Sequence, residues 1–140
     1  MIDRNAIAKF LNCSVLGKDY DSSHATVARL MCRCMQLVSE YLPPVGGDAL
    51  QQATRFWLDQ SLDGTSLEDA RISCWRYLNS KHGNSTSIDD KEDAAMRALL
   101  CVLYEKPQSD EFTEESLYWF VDMFDRIDDY SHEFEKLIQL

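Results

Sequence analysis

The stretch SSHATVARLMCRCMQLVSEYLPP, residues 22–44, gives the clearest indication of the fold class. Its apolar residues recur three or four positions apart, so they share one face of an α-helix instead of alternating across a strand. Ser22 or Ser23 is the expected N-cap, and the Pro43-Pro44 pair is expected to end the helix. The residues of the apolar face are Val27, Leu30, Met31, Cys34, Val38 and Tyr41. The stretch therefore predicts an amphipathic helix.

The same helical spacing continues through most of the chain. Further helices are predicted over residues 3–11, 48–64, 66–83, 87–107 and from 113 onwards, with Asp48, Ser66 and Ser87 as N-caps and a possible break near Ser131. Gly83 is the expected left-handed C-cap of the third of these. No stretch combines period-two alternation with hairpin chemistry. Because the connections are short, the sequence predicts one all-α domain over residues 1–140, an antiparallel bundle of five to seven helices.

The net charge of −10 is concentrated in the last part of the chain. Residues 1–88 contain nine acidic and nine basic side chains, whereas residues 89–140 contain fifteen acidic and five basic ones, and 5 − 15 gives the whole excess. An acidic surface disfavours nucleic acid and anionic membranes as direct ligands, because both require positive charge. The charge distribution instead favours rapid encounter with a basic partner.

The segment VDMFDRIDDYSHEFEK, residues 121–136, carries the candidate partner-binding surface. On one helix, Asp125 and Asp129 would be like-charged four residues apart, and so would Asp129 and Glu133. Replacing Asp125, Asp128 and Asp129 by Asn is therefore expected to leave stability unchanged or to raise it by a few tenths of a kcal/mol. The predicted partner-binding residues are the acids Asp122, Asp125, Asp128, Asp129, Glu133 and Glu135 and the anchors Tyr118, Trp119 and Tyr130, with Glu111, Glu114 and Glu115 at the rim. A solvated helix face without a partner is the alternative interpretation.

Signatures of enzyme chemistry are weak in this sequence. It contains no glycine-rich phosphate loop, no nucleophile elbow and no His-Glu-x-x-His pair. On a helix, Asp128 and His132 could share a metal, and the acids faintly resemble those of all-α nucleotide pyrophosphatases. Such enzymes need inward-facing carboxylates, whereas here Phe120, Phe124 and Ile127 form the inward stripe. A non-enzymatic protein without catalytic residues, cofactor or metal is predicted, and a metal-dependent nucleotide hydrolase is the less favoured alternative.

Cysteine usage and hydropathy indicate a cytoplasmic protein. The five cysteines are odd in number and have no framework spacing, so free thiols are expected, with Cys34, Cys74 and Cys101 buried. The N-terminal residues are a poor secretory signal, and no apolar run approaches the roughly 20 residues of a membrane span. Trp57 and Trp75 are expected to pack internally.

A resemblance adds to this interpretation. The stretch ARISCWRYLNSKHGNSTSIDDKEDAAMRALLCVLY, residues 70–104, has a tryptophan in one helix, a loop, and an acidic-capped Ala/Leu helix bearing Arg97. It resembles the small all-helical immunity proteins encoded beside bacterial polymorphic toxins. The resemblance implies a cytosolic, non-enzymatic inhibitor that binds one cognate toxin domain. An acidic helical adaptor or anti-regulator of a basic DNA-binding protein would have the same sequence features, and the sequence leaves the oligomeric state open.

Overall fold

The computed structural model describes residues 1–15, 17–83, 85–109 and 111–139. These residues form seven α-helices and one 3-10 helix and contain no strand, which confirms the all-α prediction. The α-helices are α1 (Arg4–Ser14), α2 (Tyr20–Met35), α3 (Pro44–Trp57), α4 (Gly64–His82), α5 (Lys91–Leu100), α6 (Phe112–Ile127) and α7 (Ser131–Ile138). The 3-10 helix, Gln36–Tyr41, continues α2. No helix in the described ranges is long and apolar enough to cross a membrane.

Several predicted helix starts are wrong by a few residues. Helix α2 is capped by Asp19, whose Oδ1 accepts from the Ser22 N–H at 2.9 Å, and not by Ser22 or Ser23. In the same way, Asp63 replaces Ser66 as the cap of α4, and Asp90 replaces Ser87 as the cap of α5. Aspartate and serine side chains both accept this hydrogen bond, so where several stand close together the sequence does not select one.

The Pro43-Pro44 pair ends one helix and also begins the next. Pro44 is the first residue of α3, where a proline loses nothing because the N–H it lacks has no partner in a helix. Asp48 therefore lies inside α3 instead of capping it. The predicted C-cap at Gly83 is confirmed: its φ is +64°, and its N–H donates to Asn79 O at 2.7 Å.

The short helix α5 is the centre of the core. It packs most extensively on α6 and also contacts α2, α3 and α4. Every residue from Asp93 to Leu100 is buried. Neighbouring helices can pack against α5 on all sides because Ala94, Ala95 and Ala98 have small side chains. A charged residue inside this helix is consequently removed from water.

Helix α6 presents the predicted apolar stripe to the core. Leu117, Phe120, Val121, Phe124 and Ile127 are all buried, and the rings of Phe120 and Phe124 stack with centroids 4.9 Å apart. The helix ends at Ile127, and α7 begins at Ser131, where the buried Phe134 resumes contact with the core. Residues 121–136 therefore do not form one continuous helix.

Trp57 and four of the five cysteines belong to this core, including Cys34, Cys74 and Cys101 as predicted, whereas Cys13 is exposed. Cys32, Cys34, Cys74 and Cys101 are buried, and all five cysteines are free thiols. Burial raises the pKa of Cys34 to about 12, so this thiol stays protonated at neutral pH. Trp57 is buried, and its indole N–H donates to Val102 O at 2.8 Å.

Candidate functional site

A shallow groove runs along the outer face of α6. We call it the α6 groove; it has a volume of about 480 Å³ and is lined by Glu111, Glu114, Glu115, Tyr118, Trp119 and Asp122. Residues three and four apart on a helix share a face, which explains why these side chains lie together opposite the buried stripe. The Trp119 side chain is 47% exposed, and Tyr118 is half-buried. Of the predicted partner-binding residues, the structure brings Tyr118, Trp119 and Asp122 together here.

Asp125, one turn further along α6, is bound by the N-terminal segment. Arg4 Nη1 donates to Asp125 Oδ2 at 2.7 Å, and Arg4 Nη2 donates to Asp122 Oδ1 at 2.6 Å. The backbone N–H of Ile2 donates to the other oxygen of Asp125 at 3.0 Å. The Asp125 side chain is only 14% exposed. Its charge is thus paired within the chain, which the sequence spacing did not indicate.

Asp128 and Asp129 lie in the break between α6 and α7. Asp129 accepts from the hydroxyl and the backbone N–H of Ser131, and the hydroxyl contact is the main reason why its pKa is lowered to about 2. The amino group of Met1 also lies 3.0 Å from Asp129 Oδ1. The prediction that Asp125, Asp129 and Glu133 repel one another along one helix is therefore wrong, because Asp129 is outside both helices.

The other predicted residues point to different parts of the surface. Glu133 and Glu135 are exposed on α7, and Glu135 lines a cleft against α1 together with Lys9. Tyr130 is half-buried, its ring centroid lies 5.2 Å from that of Phe124, and burial raises its pKa to about 12. The predicted surface is thus divided into the α6 groove and a separate acidic rim on α7.

A second cleft opens beside the α6 groove. We call it the Arg97 cleft; it has a volume of about 320 Å³ and lies between α4, α5, α6 and the loop between the last two. It shares Glu115 and Trp119 with the α6 groove. Its lining includes Trp75, Arg97, Tyr104, Phe112 and Ser116. Trp75 is 37% exposed at this cleft, so the prediction that it packs internally is wrong.

Arg97 is the unusual residue of this cleft. It is 7% exposed, and its Nε has no hydrogen-bond partner among the described residues. No described carboxylate lies within ion-pair distance of its guanidinium, which is 5.5 Å from the centre of the Trp75 ring. The sequence contained a signal for this site: Arg97 is the single charged residue in AAMRALL, residues 94–100.

Within the described ranges, the one group of three side chains that could hold a metal ion is His82, Asp89 and Asp93. Asp93 Oδ1 already accepts from His82 Nε2 at 2.8 Å and from Lys81 Nζ at 2.9 Å, and its Oδ2 accepts from the Asp89 N–H. Burial alone would raise the pKa of Asp93, but the hydrogen bonds from His82 and Lys81 outweigh burial and hold this pKa at about 2. The ammonium group of Lys81, this close to Asp93, would repel a bound cation. The hydrogen bonds of Asp93 instead connect the end of α4 to the start of α5.

The Arg97 cleft contains one thiol, and the α6 groove contains four carboxylates. Cys101 lines the cleft, but burial raises its pKa to about 12, which keeps the thiol from acting as a nucleophile. The carboxylates of the groove are exposed and lie on one helix, without a described histidine among them.

Comparison of the chain with models of protein families, with curated proteins and with solved structures found no match.

Proposed function

We propose that this protein is a non-enzymatic immunity protein. Its partner is a basic cognate toxin domain, which it neutralises by direct binding. The observation that carries the proposal is the exposed indole of Trp119 in a groove whose six lining residues include four acidic ones. Tryptophan and tyrosine dominate the binding energy of protein interfaces, and surrounding charges govern encounter and specificity. An aromatic anchor with an acidic rim fits a basic protein surface.

The charges of the α6 groove support this proposal. Glu111, Glu114 and Glu115 have no ion-pair partner among the described residues, so their charge is available to an incoming protein. Asp122 shares its charge with Arg4. A nuclease must be basic in order to hold a phosphate backbone, and an acidic groove can occupy that surface in place of nucleic acid.

The predicted partner-binding residues have three different roles under this proposal. Tyr118 and Trp119 contact the partner, while Asp128, Glu133 and Glu135 extend the negative field around the groove. Asp125 on α6 and Asp129 in the break before α7 hold the N-terminal segment, and they act on the partner only indirectly. The protein acts in the cytoplasm and needs no cofactor.

The first part of the experiment identifies the partner. The tagged protein is used to capture binding proteins from its native host, and each captured protein is then expressed alone in a test bacterium. A captured domain that stops growth alone and permits growth together with this protein supports the proposal. A captured DNA-binding regulator that leaves growth unaffected would favour the adaptor alternative instead.

The second part locates the surface on which the partner binds. Trp119→Ala should weaken binding by about 2 kcal/mol, because it removes the anchor. The double variant Glu111→Gln/Glu114→Gln should slow association and flatten its dependence on salt. The matched control, Asp48→Asn/Glu68→Gln, removes the same charge from exposed positions on α3 and α4 and should leave the salt dependence less affected. Equal effects of the two double variants would contradict the assignment of the groove.

A further inference from the structure

Arg97 is buried at a position where no carboxylate of the described residues lies within ion-pair distance of its guanidinium. Removing a cation from water without a paired anion costs several kcal/mol, and arginine does not lose its proton to avoid this cost. The Trp75 ring, 5.5 Å away, offsets part of the cost through a cation–π contact. Arg97 Nε still has no hydrogen-bond partner among the described residues, and buried donors without a partner are rare in folded proteins. A buried and unpartnered donor in an open cleft is expected where an acceptor comes from outside the chain.

We propose that the Arg97 cleft binds a small organic anion that has one carboxylate group and a flat apolar body. A carboxylate matches the planar guanidinium, because its two oxygens can accept from Nε and a neighbouring Nη at the same time. Ser116 offers a second donor in the same cleft: it is buried, and its hydroxyl makes no hydrogen bond to a described residue.

The charge of the cleft selects a monoanion. Arg97 is the one basic residue among the described residues that line the cleft, and Glu115 lies in the same lining. A phosphate dianion would leave charge uncompensated beside Glu115, on a chain whose net charge is already −10. A single carboxylate brings one negative charge fewer beside Glu115 than a dianion does, so the repulsion is smaller.

The walls of the cleft select a flat apolar body. Trp75, Tyr104, Phe112 and Trp119 contribute aromatic rings to the lining, and Tyr104 and Phe112 are themselves packed edge to face with centroids 5.0 Å apart. The volume of about 320 Å³ lies at the lower end of the range for small-molecule sites, which is roughly 300–1,000 Å³. A fused two-ring acid is therefore a suitable probe.

The proposal is independent of the partner, because it can be tested on the purified chain alone. The probe is 2-naphthoate, and its neutral counterpart 2-naphthamide is the ligand control. Binding is followed by calorimetry and by the fluorescence of Trp75 and Trp119, which line the cleft. We expect naphthoate to bind at least about tenfold more tightly than naphthamide, since a hydrogen-bonded ion pair contributes about that much.

The variants separate the charge of Arg97 from its shape. Arg97→Met should abolish the preference for naphthoate, and Arg97→Lys should reduce it because the planar fork is lost. The matched control is Arg76→Met, which makes the same change at an exposed position on α4 and should keep the preference. If Arg97→Met fails to fold, Arg97→Lys still provides the test. Equal affinity for both ligands, no binding of naphthoate, or a preference that survives in both Arg97 variants would overturn the proposal.

Discussion

Arg4 and Arg97 bring the same guanidinium group to two regions that border α6. Arg4 is about one-third exposed and donates to Asp122, Asp125 and the Ile2 carbonyl. Arg97 is almost completely buried and has no described ion-pair partner. The pairing of Arg4 is expected to stabilise the fold, whereas Arg97 is expected to contribute little to stability or to lower it. The contrast shows that, among the described residues, the charge of Arg97 and not that of Arg4 is available to a ligand from outside the chain.

The largest effect is expected where a charge is both buried and paired. Asp93 is buried and holds His82, Lys81 and the Asp89 N–H between α4 and α5. Removing one member of a buried pair leaves its partners uncompensated, so Asp93→Ala should lower the free energy of unfolding by about 3 kcal/mol. Denaturant unfolding measures the change. The exposed neighbour provides the control, since Asp89→Ala should change stability by less than about 1 kcal/mol.

The Arg4 region should show a smaller effect of the same sign. Asp125→Asn removes the charge that Arg4 and the Ile2 N–H contact, and stability should fall by about 1 to 2 kcal/mol after allowance for the partial exposure of Arg4. The like-charge spacing in the sequence led to the opposite expectation. Thermal unfolding of Asp125→Asn and of the Asp128→Asn control decides between them, and a stability equal to or above that of the wild type would rule out the structural role of the Arg4 pair.

His24 is a buried basic group that the fold accommodates in its neutral form. Its Nε2 donates to Tyr104 O at 2.7 Å, so Nδ1 is the acceptor for the Thr113 hydroxyl at 3.1 Å. Burial is the main reason why its pKa lies below the ordinary value of 6.5.

This burial makes stability depend on pH. Above pH 6.5 the ring is neutral in both the folded and the unfolded chain, so its contribution is complete. As the pH falls below 6.5 the unfolded chain binds the proton first, and stability declines by at most about 1.4 kcal/mol per pH unit until the folded pKa is reached. Unfolding curves recorded at a series of pH values measure this decline in the free energy of unfolding. The decline should be absent in His24→Gln and present in His132→Asn, which changes an exposed position.

The smallest effect, and the only one of opposite sign, is expected at Arg97. Arg97→Met replaces a buried charge that has no described ion-pair partner by an apolar side chain of similar length, so stability should be unchanged or should rise by about 1 kcal/mol. Loss of the Trp75 contact limits the gain. Denaturant unfolding of this variant beside Arg76→Met gives the comparison. A loss above about 2 kcal/mol would assign Arg97 a structural role and remove the contrast with Arg4.

The helices and the faces that they bury could be predicted from the sequence alone. The α6 stripe from Leu117 to Ile127 and the C-cap at Gly83 were both predicted correctly. Spacing of three or four residues and a glycine with positive φ are local properties, so they can be read without knowledge of the partner helix. The same locality explains why Trp119 could be identified as lying off the buried stripe.

Which charges are paired depends on the tertiary structure. Arg4 and Asp125 are 121 positions apart, and nothing in the spacing around either residue indicates the other. The Arg97 cleft likewise combines Trp75 from α4, Arg97 from α5 and Trp119 from α6. Helical periodicity states which face of a helix is buried, but the neighbour of that face depends on how all the helices pack. Whether a charged side chain has an ion-pair partner depends on that packing. For this reason the ion pairs could not be predicted from the sequence.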